Sequence, residues 1–354
     1  MDKSLLVYDK YVKSEVTRAQ YKYFFKKFLQ WAEIKNGSAL LHLKDTQLQA
    51  MIEDYVMHLR KRLSPNSITP IIAGLKLYFA MNDRTLNWER IQKMVPEKVK
   101  RTGYSAYQTE DIQKMLESCG KSKRNKALIH FLTSTGCRVG AIPDVKLKHF
   151  SQEEDCKSIL FYEGSAQEYY GFLTPEASNA LDSYLEERRK DNEYLDEQSP
   201  LFREDYQVGV QKANPMTLRA IHLVLHRIVK TVDRKKEGRR HNIMTIHGFR
   251  KRFATIVKLD NKISWAVGER LLGHQSYLDP SYFRPTKDNL LKEFKKVIPD
   301  LTIDESERLM LQNKVKDEII KRIESEKDQR IAHLEDKMNK LDKILKHLNL
   351  DKIN

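Results

Sequence analysis

The chain has 354 residues, 40% of them hydrophobic, so it can bury the cores of two domains and is not intrinsically disordered. Lys and Arg outnumber Asp and Glu by 64 to 49, and the net charge of +15 favours a polyanionic partner such as nucleic acid or an anionic membrane. Three scattered cysteines exclude a disulfide framework or a cysteine zinc site. Because the sequence has no long apolar run and no secretory signal, we expect a soluble intracellular protein.

The first hundred residues show the periodicity of amphipathic helices. Apolar residues recur at steps of three and four over residues 14–34, and again after Asp45, which we predict as a helix cap. A third helix is predicted to begin at Ser64, because Pro65 can occupy the first turn without losing a needed N–H group. A basic, apolar-poor stretch around residues 96–103 then suits a linker, so we predict a helical domain over residues 1–100.

Residues 101–300 are predicted to form a second, mainly helical domain. Helices are expected from Thr109 and up to Gly136, which suits a helix stop. The segment 158–174 is rich in β-branched and aromatic residues around a short polar loop, which indicates a two-stranded hairpin. From Pro175 onward the pattern is helical again. The predicted fold is therefore mainly α with one small antiparallel sheet.

The C-terminal segment 301–354 reads as a separate long helix. It holds twelve acidic and twelve basic side chains, so the whole charge excess lies in residues 1–300. A leucine-rich a/d seam predicts a short coiled coil, with a lone helix packed on its own domain as the alternative. Three upstream isoleucines, at 319, 320 and 323, fit that register poorly. The seam consists of Ile331, Leu334, Met338, Leu341, Leu345 and Leu348.

The densest basic block runs from residue 234 to residue 252 and contains eight Lys or Arg side chains against one Glu. A solvated helix face would also explain such a run. Contacts to DNA phosphates are the functional interpretation. It assigns DNA binding to Arg234, Lys235, Lys236, Arg239, Arg240, Lys251 and Arg252.

Five side chains together could transfer a phosphoryl group without a metal or another cofactor. His247 and Arg250 share one face of a helix start, although an H-x-x-R pair by itself is a weak signal. Arg138 follows the predicted helix stop, His274 follows a glycine, and Tyr282 lies eight residues further on. Planar guanidinium groups can contact two non-bridging phosphate oxygens, and an imidazole can take the proton of a phenol that attacks phosphorus.

These residues lie in motifs that resemble those of the tyrosine recombinases, a family of phage and archaeal integrases and Xer-type resolvases. The motifs are TGCRVGAIPDVKLKHF, HGFRKRFAT and LLGHQSYLDPSYFRP, in the order usual for the family. The resemblance covers residues 1–300, because SPNSITPIIAGLKLYFAMND is similar to the family's helical core-binding domain. SPLFRE and DPSYFRPT look most like integrases of archaeal viruses and mobile elements.

The resemblance implies a core-binding domain at 1–100 that clamps DNA, a catalytic α+β domain at 101–300 and a C-terminal coiled-coil helix. It implies that Tyr282 attacks a phosphodiester and forms a 3′-phosphotyrosyl bond, with Arg138, His247, Arg250 and His274 as the other catalytic residues. Neither metal nor ATP would be needed. The expected partners are attachment sites in double-stranded DNA and further copies of the chain, as a tetramer on DNA, in the cytoplasm at the host nucleoid.

Two positions depart from the family pattern. Ala141 stands where an acidic residue usually follows the first arginine, and the hairpin loop carries Ala166 and Gln167 where a lysine is expected as general acid. Lys157 on the preceding strand is the candidate replacement. A second tyrosine, Tyr277, lies only three residues after His274, which is too close for the family's spacing.

Two alternative functions stay open at this point. A relative that holds DNA without cutting it would explain the missing hairpin lysine. A type IB topoisomerase would share the tyrosine chemistry, although the helical N-terminal domain and the tail argue against it.

Overall fold

A computed structural model describes residues 3–97, 105–205, 207, 209–237, 240–259, 262–274 and 283–350. For residues 3, 237, 240, 318, 342 and 345–350 it describes the backbone alone. The chain divides into two compact units, Met1–Arg101 and Thr102–Asn354. Within the described ranges, no helix is both long and apolar enough to cross a membrane.

The first unit is all-helical within its described residues. Ser14 caps the second helix by accepting a hydrogen bond from the Thr17 backbone N–H. The fourth helix begins at Asp45, so the cap position that we predicted for this residue belongs to Lys44. Pro65 occupies the first turn of the fifth helix, as expected. The helices are α1 (Leu6–Tyr11), α2 (Glu15–Trp31), α3 (Gly37–Leu40), α4 (Asp45–Arg60), α5 (Pro65–Met81) and α6 (Trp88–Lys93).

Aromatic side chains form the centre of this unit's core. Phe25 and Tyr78 lie with their ring centroids 4.0 Å apart, and Tyr8 donates a hydrogen bond to the Gly74 carbonyl oxygen at 2.9 Å. These rings come from α1, α2 and α5, so the helical periodicity in the sequence marks the faces that meet.

The second unit combines helices with a small antiparallel sheet. Its strands β1 (Phe150–Glu153), β2 (Cys156–Phe161) and β3 (Tyr169–Leu173) pair in chain order, with Ile159 opposite Phe150 and Gly171. The predicted hairpin corresponds to β2 and β3. We missed β1, because its sequence FSQE is too short and polar to show a strand pattern. A second, two-stranded sheet pairs β4 (Lys236–Glu237) with β5 (Arg240–His241).

The helices of this unit surround the three-stranded sheet and carry most of the core. Arg188 is fully buried and donates to Glu193, which also pairs with Arg203. The helices are α7 (Thr109–Ser118), α8 (Lys123–Thr135), α9 (Pro175–Lys190), α10 (Leu218–Ile228), α11 (His247–Leu259), α12 (Trp265–Leu271), α13 (Lys287–Lys295), α14 (Ile298–Leu301) and α15 (Glu305–Leu350).

The tail that we predicted from residue 301 is joined to the second unit at its start. Leu301 and Ile303 are buried, and the backbone N–H groups of Ile303 and Asp304 donate to the Glu176 carboxylate at 2.8 and 3.0 Å. From residue 313 to residue 344, by contrast, every side chain that the structure describes is exposed. The helix α15 is continuous across this change.

Candidate active site

A cavity of about 700 Å³ in the second unit brings together three of the predicted catalytic side chains, Arg138, His247 and Arg250. Arg138 comes from the turn after α8, whereas His247 and Arg250 come from the first turn of α11. Residues more than a hundred positions apart therefore meet in one place.

Two glycines in the left-handed conformation shape the backbone at this site. Gly136 ends α8 with φ +55°, and a Cβ atom there would lie 2.6 Å from the Phe253 side chain. Gly273 has φ +62°, and its Cβ would lie 2.5 Å from the Tyr169 ring. Both positions therefore require glycine for conformation and for space. Each glycine places a site residue one or two positions later, Arg138 and His274.

Arg250 links the separate parts of the site through its guanidinium group. Its Nη1 donates to the Gly136 carbonyl oxygen at 2.8 Å, and its Nη2 donates to the Leu272 carbonyl oxygen at 2.7 Å and to His274 Nε2 at 2.8 Å. Partial burial and then the positive charge of Arg138 lower the pKa of Arg250. Two cations that repel each other in a partly desolvated place would be stabilised by a bound anion.

His274 is held between Arg250 and a carboxylate. Because arginine offers only donors, His274 Nε2 accepts from Arg250, and Nδ1 must then carry the proton. Nδ1 donates to Glu269 Oε2 at 3.0 Å. Burial raises the pKa of Glu269, but hydrogen bonds from Lys258 and His274 outweigh burial and leave the pKa below its usual value. The carboxylate therefore stays ionised and fixes the imidazole tautomer.

His247 lines the cavity and is exposed. Partial burial lowers its pKa first, and the neighbouring charges of Arg250, Lys251 and Arg138 lower it further. All of these causes disfavour the imidazolium form. His247 is therefore a neutral imidazole at neutral pH, which is the form that can accept a proton.

Part of the chain is similar to a known protein family. Residues 106–278 match the family described as Phage integrase family. The matched segment covers 173 residues, just under half of the chain. No curated protein matches the chain.

Solved integrase structures share the fold. An integrase of transposon Tn1549 in complex with transposon right-end DNA is 15% identical, with a TM-score of 0.56 over 83% of this chain and 99% of that one. A lambda integrase tetramer bound to a Holliday junction is 15% identical, with a TM-score of 0.53 over 80% and 75%. The XerH recombinase on a palindromic difH substrate is 18% identical, with a TM-score of 0.50 over 80% and 76%. At such low identities these likenesses establish the fold.

The phage integrase segment contains Arg138, His247, Arg250 and His274, but it ends four residues before Tyr282. Tyr282 and the alternative Tyr277 both lie outside the described residues. The nucleophile assignment therefore rests on the sequence motif.

Lys157, the candidate general acid, does not line the cavity that holds Arg138 and Arg250. It lies on β2, and its Nζ donates to Asp182 and to Gln152, both at 2.9 Å. Ala166 and Gln167 are exposed in the loop between β2 and β3. Ala141, at the other departure from the family pattern, is buried in the core.

The predicted DNA-binding residues divide by exposure. Lys235 and Lys236 are exposed, Lys251 is half-buried, and Arg234 lines the cavity while donating to Thr245 Oγ1 at 2.9 Å. Arg239 lies outside the described residues, and so does the side chain of Arg240.

Arg252 is a correction to the predicted DNA contacts. It is 5% exposed and donates to Thr109 Oγ1 at 3.1 Å and to the Asp300 carbonyl oxygen at 3.3 Å. Burial lowers its pKa to about 10. Arg252 follows Arg250 by two residues, or about 200° around a helix, so the two side chains point to opposite faces. Arg252 therefore joins parts of the core and is not available to DNA.

Sequence reasoning missed several residues at this site. Glu269, which orients His274, gave no signal beyond being an acidic residue five positions earlier. The cavity is also lined by His222, His226 and His241. The first two are four residues apart on α10, a spacing that places them on one helix face and could have been noticed.

Proposed function

We propose that the protein is a site-specific DNA recombinase that cleaves and rejoins duplex DNA through a 3′-phosphotyrosyl intermediate, with Tyr282 as nucleophile. The observation that carries the proposal is the contact of Arg250 with His274 beside Arg138 and His247 in one cavity. A phosphodiester that is attacked by an oxygen gains negative charge on its non-bridging oxygens. Two guanidinium groups and an imidazole in fixed positions would stabilise that negative charge.

Each side chain would have a separate task. Arg138 and Arg250 would contact the non-bridging oxygens, so binding of the scissile phosphate would relieve their mutual repulsion. His247, neutral at neutral pH, would accept the proton of the Tyr282 hydroxyl as its oxygen attacks phosphorus. His274, held through Nδ1 by Glu269, would accept from Arg250 through Nε2 and keep that guanidinium group directed at the phosphate.

The attack forms a phosphorus–oxygen bond to Tyr282 and breaks the bond to the 5′ oxygen, which leaves with a proton as a hydroxyl group. That hydroxyl, or one from a partner strand, can reverse the step. Because one phosphodiester replaces another, the exchange needs no ATP, and the guanidinium groups take the charge-stabilising part that a metal ion would otherwise play. For Lys157 to supply the departing proton, it would have to leave its pair with Asp182.

The expected partner is double-stranded DNA. The charge excess of +15 lies within residues 1–300 and suits phosphate contacts from both units. The similar integrases of known structure are bound to DNA, one as a tetramer on a Holliday junction. We infer that this chain also acts as a tetramer at attachment sites, in the cytoplasm at the nucleoid, as the integrase of a mobile element related to those of archaeal viruses.

A second candidate function is DNA binding without cleavage. It is favoured by Ala166 and Gln167 in the hairpin loop and by the engagement of Lys157 with Asp182, which leave the general acid unassigned. The same experiment separates the two functions.

The test is a nicked suicide substrate that carries a DNA site selected by binding from genomic fragments, followed by a denaturing gel. The wild-type chain should give a covalent protein–DNA band. Tyr282→Phe should abolish that band while DNA affinity stays close to wild type, because only the nucleophilic oxygen is removed. Tyr277→Phe is the matched control and should retain the band. Loss of the band in the control but not in Tyr282→Phe would reverse the assignment, and no band from the wild type would leave the DNA-binding function.

A further inference from the structure

The exposed part of α15 carries an apolar stripe without a partner in the described chain. The side chains of this stripe are between 43% and 66% exposed. Every described neighbour from 313 to 344 is exposed as well, so the stripe is not covered by the chain's own units. Val315 and Ile319 lie before the stripe and line a cavity with Lys295 and Pro299 of the second unit. The stripe comprises Ile320, Ile323, Ile331, Leu334, Met338, Leu341 and Ile344.

The stripe continues across the polar stretch that interrupts its pattern. Ile320 and Ile323 stand eleven residues before Ile331 and Leu334, and the structure keeps one unbroken helix between them. Eleven residues fit three helical turns closely, so both pairs lie on the same face. The poor fit of the upstream isoleucines to the heptad register is therefore a stutter, an insertion of four residues.

The residues of the downstream seam indicate two strands. With Ile331 and Met338 at position a, Leu334 and Leu341 occupy position d. Ile331 at a with Leu334 at d is the combination of a β-branched residue and leucine that favours a two-stranded, parallel coiled coil, whereas the later a positions, Met338 and Leu345, are unbranched at Cβ. The stripe therefore suits one further helix of the same kind.

Charges beside the seam specify the direction of that second helix. Position g holds Arg330 and Lys337, and position e holds Glu335 and Asp342. In a parallel pair, each g residue faces an e residue of the next heptad on the partner, so basic faces acidic at both levels. In an antiparallel pair, g would face g and e would face e, which places like charges together. The sequence of α15 is complementary to itself only in the parallel direction.

The ion pairs within α15 leave these flanking charges available. On the outer face, Lys340 pairs with Asp336 at 2.7 Å. Arg330, Glu335 and Lys337, by contrast, make no ion pair with any described residue of the chain. These three flanking charges are therefore not used in ion pairs within the described part of the chain.

We propose that α15 pairs in parallel with α15 of a second copy, so that the protein is a dimer before it meets DNA. A parallel pair places both catalytic units at the same end of the coil, related by a dyad along it. That dyad can coincide with the dyad of an inverted-repeat DNA site. The pairing does not depend on the catalytic function.

Sedimentation of the full-length chain without DNA tests the self-association. The wild type should be a dimer at micromolar concentration. Leu334→Asp with Leu341→Asp should raise the dimer dissociation constant by at least ~100-fold, because each Asp would place a charge in a desolvated interface. His333→Asp with Asn339→Asp puts the same charges on the outer face and should leave the dimer intact. A monomeric wild type, or a seam variant that still dimerises like the wild type, would overturn the proposal.

Mild oxidation of Leu341→Cys tests the direction. The three native cysteines are buried, so the new thiol is the one exposed to oxidant. In a parallel pair the two introduced thiols face each other and should form a disulfide, whereas Asn339→Cys on the outer face should not. A dimer that fails to cross-link through Leu341→Cys would be antiparallel and would refute the proposed direction.

The seam variants should still give the Tyr282-dependent band, so failure of dimerisation and failure of the proposed function are distinguishable.

Discussion

Replacement of Arg250 tests whether its guanidinium organises the cavity. The group makes three contacts, to the carbonyl oxygens of Gly136 and Leu272 and to His274 Nε2, all between 2.7 and 2.8 Å. These contacts orient the guanidinium group in the cavity that Arg138 also lines. We expect Arg250→Ala to lose both the positive charge and the alignment.

The expected decrease in the cleavage rate follows from these contacts. Removing one preorganised donor from a charge-stabilising site slows the chemical step by ~10²–10³, or about 2.7–4 kcal/mol, and we expect that loss for Arg250→Ala. Arg250→Lys keeps the charge, but a single ammonium cannot present two N–H groups in one plane. Loss of one charge-assisted hydrogen bond, worth about 1.5–3 kcal/mol, should slow cleavage at least ~10-fold.

The assay is single-turnover formation of the covalent band, with enzyme in excess and thermal melting to verify folding. Arg189→Ala, which removes an exposed arginine from α9, is the matched control and should cleave at the wild-type rate. DNA affinity should fall only slightly in every variant, because one of many phosphate contacts is lost. If folded Arg250→Lys cleaves as fast as wild type, the planar fork is not required and the assigned role of Arg250 is wrong.

Two further predictions concern protons and salt. Partial burial and neighbouring cations lower the pKa of His247, so its proton-accepting form persists as pH falls and is lost only below the ordinary histidine value of about 6.5. Single-turnover cleavage rates should therefore decrease below that pH, and this decrease should vanish in His247→Ala. A midpoint at or above 6.5 would contradict the role of His247 as the base. DNA affinity on a short duplex that holds one protomer should fall steeply with salt. Deletion of residues 324–354 removes seven acidic and seven basic side chains, so it should leave the slope of log K against log salt unchanged. A slope that becomes shallower would place DNA contacts in the tail.

Local features of the fold were predictable because they depend on near neighbours in the chain. Apolar residues at helical spacing identified longer helices such as α2, α4 and α5, but not the short helices α1, α3, α6 and α14. The stop at Gly136 identified the turn that carries Arg138. The fold class predicted from these patterns, mainly helical with a small antiparallel sheet and a long C-terminal helix, is confirmed. The strand β1 was missed because a four-residue segment with three polar side chains forms a strand only when β2 is already beside it.

The arrangement of the cavity was decided by tertiary structure. Arg250 and Gly136 are 114 residues apart, and packing of Phe253 against Gly136 and of Tyr169 against Gly273 brings their backbones together. No spacing rule connects such distant positions, so the sequence alone could not show that Arg250 reaches Gly136.

Burial separated residues that look alike in the sequence. Arg250 and Arg252 belong to one basic block, yet one faces the cavity and the other the core, because two residues turn a helix through about 200°. The amino-acid sequence determined which side chains with phosphoryl-transfer chemistry the chain contains and which segments are helical. Only the packing of distant segments decided which of those side chains meet, because a side chain's surroundings depend on residues far away along the chain.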